Sequence, residues 1–260
     1  MPCLHPIQIF KYSFDCGWCS ECCAKYARQW SQRIMDEFYS VGDVGCFVTL
    51  TYDDEHLPDD QQVNKRDFQL FMKRLRKAIS PVKVRFFSCG EYGGKRNRPH
   101  YHVILFGWFP PDLYKVSKDR FGSDMLCRIW KNGFVSVGEV TIDSAKYCAK
   151  YLAKSDPRIH EVRPFTNMSR RPGIGASVVT PEMLLTGVRY FDGNMYPLPR
   201  FYLDTLEKQG FNTRPLRRIR SLEIENGKRI TGQEFATYCA CKENFLRSFA
   251  PRARFLPLLY

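Results

Sequence analysis

The hydrophobic and polar positions along this chain change period several times, and each change marks an element. Gly45-Cys-Phe-Val-Thr-Leu-Thr-Tyr-Asp53 is rich in β-branched and aromatic residues and predicts a strand. From Asn64 to Ile79 the apolar residues Phe68, Phe71, Met72, Leu75 and Ile79 recur at helical spacing, with Lys73, Arg74, Arg76 and Lys77 mostly elsewhere on the surface. Pro81 closes that helix. Val82 to Glu91 predicts a second strand, Tyr92 to Pro99 a polar, glycine-rich turn and His100 to Trp108 a third strand, joined most simply as an antiparallel hairpin. A short helix over Ser123 to Lys131, a fourth strand over Phe134 to Val140 and a helix from Asp143 to Lys154 complete the pattern. The order is β-α-β-β-α-β with an added helix. It predicts an α+β fold of the ferredoxin-like, split β-α-β kind, with one antiparallel sheet, helices on one face and the other face free for a ligand.

On this reading residues 1–42 are a cysteine-rich segment and helix, 43–155 the sheet core, and 156–260 a basic extension or small second domain. The last stretch is rich in proline and glycine, holds the turn-rich Ser169-Arg-Arg-Pro-Gly-Ile-Gly175 and the basic cluster Arg214, Arg217, Arg218 and Arg220, and predicts a helix near Thr231 to Phe249. No internal repeat or low-complexity segment is visible.

Composition narrows the class. A 260-residue chain that is 44% hydrophobic and 15% aromatic has ample material for a core. Forty Lys and Arg against 27 acidic residues, a net charge of +13, exceed what solubility requires and point to a polyanion, above all nucleic acid, because neutralising phosphates releases counterions. No basic amphipathic anchor or lipidation signal favours a membrane surface, and no apolar run approaches the roughly 20 residues a span needs. The cysteines number 11, an odd count in a long chain, and Met1-Pro-Cys-Leu-His lacks an apolar signal region, so a reducing cytoplasm is expected rather than a secreted disulfide scaffold.

The candidate chemistry lies in three places. Alternation on a strand puts His100 and His102 on one face and Tyr101, Val103 and Leu105 on the other. If the hairpin sets Glu91 beside His100, then Cys89 lies beside His102, and two nitrogens and one oxygen converge. That shell suits Mn2+ or Mg2+ if phosphate completes it and zinc if it is tetrahedral; the ligands alone do not choose. A bare His-x-His pair equally suits a packed, hydrogen-bonded core, so the metal reading rests on Glu91 and on the downstream helix. On that helix Tyr147, Lys150, Tyr151 and Lys154 form one stripe and Ala145, Cys148, Ala149 and Leu152 an apolar back. A phenol with a pKa near 10 needs a cation to become a nucleophile, and Lys150 and a metal would supply it; alone, the stripe is an ordinary amphipathic face. Lastly, Cys16, Cys19 and Cys22, joined by Cys3 or Cys23, have the spacing of a candidate structural zinc site, against the alternative of reduced or partly buried thiols. Asp53, Asp54, Glu55 and His56 read as a solvated loop. Trp108, Phe109, Lys95, Arg96 and Arg98 fit base stacking and phosphate contact or a plain surface turn.

Three segments, Phe47-Val-Thr-Leu-Thr-Tyr-Asp-Asp-Glu-His-Leu-Pro58, Arg98-Pro-His-Tyr-His-Val-Ile-Leu-Phe-Gly107 and Tyr147-Cys-Ala-Lys-Tyr-Leu-Ala-Lys154, together resemble the ordered motifs of the HUH endonuclease superfamily. More narrowly the chain resembles the replication initiators of microviruses, small single-stranded DNA phages, and among them the gokushovirus branch. The motifs span residues 47 to 154, and the likeness extends to the cysteine-rich start and Pro172-Gly-Ile-Gly175. The resemblance implies that 43–155 is an HUH endonuclease core, a metal-dependent, site-specific single-stranded DNA endonuclease and ligase of rolling-circle replication. It implies Tyr147 and Tyr151 as paired nucleophiles with Lys150 between them, His100 and His102 as metal ligands, and Glu91 as third ligand by analogy with viral initiators. One tyrosine would attack an origin phosphodiester, keep a 5′-phosphotyrosine and release a 3′-hydroxyl for a host polymerase; the second would cut the regenerated origin. The expected cofactors are Mn2+ or Mg2+, with candidate structural Zn2+ on Cys3, Cys16, Cys19 and Cys22. The expected partners are origin single strands, contacted by Arg96, Arg98 and Lys154, and a host helicase and DNA polymerase, all in the bacterial host cytoplasm. A relaxase or single-strand transposase shares this chemistry. From other classes stand a noncatalytic RRM-type module, disfavoured by the lack of its glycine-aromatic motif, and a zinc hydrolase in which both tyrosines would be dispensable.

Overall fold

The computed structural model describes residues 3–10, 12–17, 19–93, 97–150, 162 and 164–225. In chain order its elements are β1 (Ile7–Ile9), β2 (Tyr12–Phe14), α1 (Ser20–Ser40), β3 (Gly45–Tyr52), α2 (Lys65–Ala78), β4 (Arg85–Tyr92), β5 (Pro99–Phe106), β6 (Leu113–Ser117), β7 (Arg120–Ser123), α3 (Asp124–Trp130), β8 (Gly133–Gly138), α4 (Ile142–Lys150), β9 (Phe165–Met168), α5 (Met183–Thr186), β10 (Val188–Phe191), β11 (Asn194–Pro197), α6 (Arg200–Lys208) and α7 (Arg214–Glu225). They fall into two compact units, Tyr26–Ser177 and the pair of segments Met1–Lys25 and Val178–Tyr260.

The first unit is built on a seven-stranded sheet in the order β6-β7-β8-β3-β5-β4-β9, with every pairing antiparallel. Its central strands β8-β3-β5-β4, with α2 between β3 and β4 and α3 between β5 and β8, are the split β-α-β arrangement expected from the sequence, and α4 after β8 is the added helix. Strand β3 alternates strictly: Cys46, Val48, Leu50 and Tyr52 are buried and the residues between them half-exposed. The buried set packs with Tyr101, Val103 and Leu105 of β5 against Phe68, Phe71, Met72 and Leu75 of α2 and Leu126, Ile129 and Trp130 of α3. Each such side chain withdrawn from water contributes about 1.5–3 kcal/mol, so this face holds the unit together. Helix α2 starts where the Asn64 side chain accepts the Arg66 amide and carries Arg76 and Lys77 in its last turn, complementing the helix dipole. Gly133 opens β8 at a φ of 136°, where a Cβ would lie 2.2 Å from the Asp53 amide nitrogen; only glycine lets the backbones approach this closely.

The expectation of helices on one face alone is corrected. On the histidine face Trp30 of α1 packs on Phe87, ring centroids 5.2 Å apart, and α4 lays Tyr147 over Phe47 and His102. The reason is compositional: Phe87, Cys89 and Ile104 project to that side, are fully buried, and need cover. Over β3 the described cover is partial: Tyr147 meets Phe47 edge-on, and Phe47, Thr49 and Thr51 stay half-exposed. The segment Pro172 to Gly175 is pinned by charged side chains of α1 and β4. The Arg33 Nε donates to the Ile174 carbonyl at 3.0 Å, the Arg85 Nη2 to the Pro172 carbonyl at 2.9 Å, and the Gly175 amide to Glu37, which also pairs with Arg85.

The edges depart from expectation in length. β6 and β7 extend one side; all five residues of β6 are exposed, so no alternation marks them in the sequence. β9 closes the other edge against β4.

The second unit gathers Val179, Leu184, Val188, Leu198, Tyr202, Leu203, Leu206, Leu216 and Ile219 into its own core. Its regular pieces, the β10-β11 hairpin and helices α5, α6 and α7, lie in the stretch read from the sequence as a basic extension or small second domain. Strands of four residues are too short to show a period. Arg217 pairs with Asp204 at 2.6 Å and Glu207 at 2.9 Å. The helix expected near Thr231 to Phe249 lies outside the described residues. Among the described residues no helix is long and apolar enough to cross a membrane.

Candidate active site

Strand register assembles the site. Glu91 pairs with His100 and Cys89 with His102 across β4 and β5, as the hairpin reading required, and on the other side of β5 Thr51 pairs with His100 and Thr49 with His102. Glu91 is 1% exposed, and three groups meet on its single oxygen Oε1: His100 Nε2 at 2.9 Å, His102 Nε2 at 2.8 Å and the Tyr147 hydroxyl, donating at 2.8 Å. The ligand atoms of Glu91, His100 and His102 all lie within 4.8 Å of one another.

The surroundings fix the two rings. His102 Nδ1 shares a hydrogen bond with Thr49 Oγ1 at 3.0 Å, while its ring stacks on Phe47 with a 5° tilt and meets Tyr147 edge-on at 4.9 Å. His100 Nδ1 lies 3.0 Å from the Arg98 carbonyl. Behind the strand Tyr101 points the opposite way into the core, where its hydroxyl meets that of Tyr52 at 2.7 Å, accepts the Asn64 amide at 2.9 Å and ties β5 to the start of α2. Burial works against charge on His100, but the hydrogen bonds to Glu91 and the Arg98 carbonyl outweigh it and raise its pKa. The more deeply set His102 is lowered, chiefly by burial and further by His100, with Glu91 offsetting part of that.

This donor set fits a divalent cation. A carbonyl accepts only, so the Arg98 contact claims the His100 Nδ1 proton and leaves Nε2 of the neutral ring with a lone pair facing a carboxylate oxygen at 2.9 Å. Two acceptors at that distance need a positive charge between them, a proton or a metal. Two imidazole nitrogens and a carboxylate oxygen suit Mn2+, Mg2+ or Zn2+.

Tyr147 reaches the site because α4 buries Ala145, Cys148 and Ala149 beneath it. Cys148 also hydrogen-bonds Cys89, the residue paired with His102, and that contact and burial hold the Cys89 thiol well above the ordinary cysteine value. Tyr147 is 39% exposed even though its hydroxyl reaches Glu91. Lys150 is exposed at the end of the described helix. Tyr151, Lys154 and Arg96 lie outside the described residues. Arg98 is engaged within the chain: Nη1 donates to the Tyr52 carbonyl at 2.9 Å and Nη2 pairs with Asp54. In the exposed loop Asp53 holds the His56 amide and ring. Trp108 packs on the core beyond the far end of β5, with Phe109 exposed next to it, away from the histidines. Periodicity gave no hint of the Thr49 contact to His102 or of the Cys89–Cys148 contact; both follow once strand register is known.

A second cluster joins Cys3, Cys16, Cys19 and Cys22, whose sulfurs lie within 4.8 Å of one another. Cys3, not Cys23, is the fourth member. The Cys3–Cys19 and Cys16–Cys22 sulfurs are 3.8 Å apart, and the amides of Cys16 and Cys19 donate to the sulfurs of Cys3 and Cys16 at 3.3 Å. A zinc–sulfur bond of about 2.3 Å places the sulfurs of a tetrahedron about 3.8 Å apart, so the cluster has the size zinc requires.

Comparison with known proteins places this architecture in a family. Residues 45–156 match the family Replication-associated protein ORF2/G2P. The chain is 33% identical over 221 residues to Replication-associated protein VP4 of Bdellovibrio phage phiMH2K, covering 77% of this chain and 70% of the relative. It is 29% identical over 225 residues to Replication-associated protein ORF4 of Chlamydia phage 1, covering 78% and 56%. With Replication-associated protein ORF2 of Spiroplasma virus 4 it shares 34% identity over 158 residues, covering 56% and 49%. No solved structure matches it. With a third of the aligned positions shared across most of the Bdellovibrio phage protein, and a sheet core that coincides with the family match, the chain belongs to the replication-associated proteins of microviruses.

Proposed function

We propose that this chain initiates phage rolling-circle replication as a metal-dependent, site-specific single-stranded DNA nickase and strand transferase. The observation that carries the reading is the meeting of His100, His102 and the Tyr147 hydroxyl on one oxygen of Glu91. His100, His102 and Glu91 would hold Mn2+ or Mg2+, which when bound polarises the scissile phosphate and neutralises its developing charge. Tyr147 Oη attacks phosphorus, its proton directed along the existing hydrogen bond to Glu91 Oε1. A tyrosine–phosphate bond forms, the bond to the 3′-oxygen breaks, and that oxygen leaves as a hydroxyl with the proton so released. Lys150, on the same helix, adds positive field favouring the phenolate. The 5′-phosphotyrosine keeps the energy of the broken bond, so rejoining needs no ATP. From the motif, Tyr151 serves the second cut, with Arg96, Arg98 and Lys154 on DNA phosphates, Arg98 also holding the loop after β3. The partners are origin single strands and a host helicase and polymerase, and the setting is the bacterial host cytoplasm. Zinc is assigned to Cys3, Cys16, Cys19 and Cys22.

The test uses labelled single strands tiling the phage genome that encodes the chain, incubated with the protein and Mn2+. A protein–DNA adduct that survives denaturing gel electrophoresis, on strands from one locus only and absent with chelator, is expected. Failure of every strand to form adduct with either Mn2+ or Mg2+ contradicts the proposal.

A further inference from the structure

Among the described residues helix α4 packs over β4 and β5 on the histidine face, and the register shows what β3 and β8 display beside it. Thr51 pairs with His100 on one side and with Phe134 of β8 on the other, and Glu91 pairs with His100 in turn. Residues paired directly across neighbouring strands project to the same face. Phe134, Thr51, His100 and Glu91 therefore form one row across four adjacent strands, and Ser136, Thr49, His102 and Cys89 form the next. With neighbouring strands about 4.8 Å apart, Phe134 stands about 10 Å from His100 along the row.

Phe134 is 66% exposed. An aromatic ring this open in a strand inside a sheet leaves apolar area in water that folding normally removes, which marks a contact surface when the ring adjoins a functional site. The floor between the ring and the site is Thr51, Thr49 and Ser136, uncharged and half-exposed, ending on Phe47, which stacks on His102 and meets Tyr147 edge-on. A flat, uncharged, aromatic-ended floor on a chain of net charge +13 suits a ligand with planar faces and a negative backbone. Single-stranded nucleic acid has both.

We propose that Phe134 is a stacking platform for a base of the single strand near the phosphate presented to Tyr147, and thus a positioning residue for the substrate. The identity of the strand rests on the nickase reading above; the stacking is read by binding alone.

The full chain is titrated into fluorescein-labelled oligo-dT of about 20 nucleotides, with chelator so that nothing is cut, and anisotropy is followed. Phe134→Ala and Phe134→Leu should each weaken binding by about tenfold, because a base–aromatic stack is lost and an aliphatic side chain does not replace it, whereas Phe134→Trp should stay within about twofold of wild type. The exposure of Phe134 makes these substitutions structurally mild, and retained binding by the Trp variant separates stacking from folding. Ala or Leu variants that bind within about twofold of wild type would overturn the platform, even if adduct formation proceeds. Weakened binding by both, in a protein that forms no adduct with any strand, would keep the platform and remove the nickase.

Discussion

Replacing His102 by alanine is expected to weaken Mn2+ binding by at least about a hundredfold and to take adduct formation with it. The imidazole contributes one of two nitrogens in a three-donor set, and no other described side chain among the paired positions can take its place: its neighbours in the row are Thr49, Ser136 and Cys89, and the Cys89 thiol is held protonated by Cys148 and burial. The change also removes the ring packed between Phe47 and Tyr147 and one of the hydrogen-bond partners of the buried Glu91, so the variant should be less stable as well. Thr49→Val separates the two effects. It keeps the ring and its packing, removes only the hydroxyl at His102 Nδ1, and should cost about tenfold in metal affinity. Mn2+ titrations followed by electron paramagnetic resonance, with circular dichroism as the fold control, read both. Unchanged Mn2+ affinity in a folded His102→Ala chain would remove the metal site.

Cys16→Ser should lose zinc and loosen the start of the chain. The wild-type chain is expected to carry one zinc per molecule, and the variant well below that, with residues 3 to 22 becoming accessible to protease. This segment lacks apolar burial. Strands β1 and β2 have three residues each, Ile7 and Ile9 are exposed, and Phe10 is 98% exposed, so this segment gains little from the hydrophobic effect. Four thiolates on one zinc would supply what packing does not; in zinc-finger peptides such binding is worth about 10–16 kcal/mol. The checks are metal analysis of the purified protein and limited proteolysis before and after a strong chelator. A chain purified without zinc and indifferent to chelator would assign these thiols to reduced, packed cysteines instead.

The sheet core was legible in the sequence because each of its long elements pays attention to one period. Phe68, Phe71, Met72 and Leu75 keep helical spacing and all are buried, and β3 alternates over its whole length. A turn of fixed length between β4 and β5 was enough to place Glu91 against His100, and the site followed from that register. What periodicity does not carry is which face a helix covers. The cover on the histidine face depends on Phe87, Cys89 and Ile104 lying opposite the main core in strands buried on both sides, where near-continuous apolar runs hide the alternation. The role of Phe134 was equally hidden, since an aromatic residue in a strand reads as core until its exposure is known. For the fourth thiol the sequence offered both Cys3 and Cys23, and only proximity in space, across 13 residues of chain from Cys16, selects Cys3.

Everything in the functional account requires that a tyrosine of the late helix take the DNA phosphate beside the Glu91, His100 and His102 shell. The direct measurement is mass spectrometry of the adduct after exhaustive nuclease and protease digestion. The account predicts a nucleotide mass on Tyr147 or Tyr151 in the wild-type chain and no adduct from Tyr147→Phe combined with Tyr151→Phe. A nucleotide found on any other residue, or an undiminished adduct from the double variant, would contradict it.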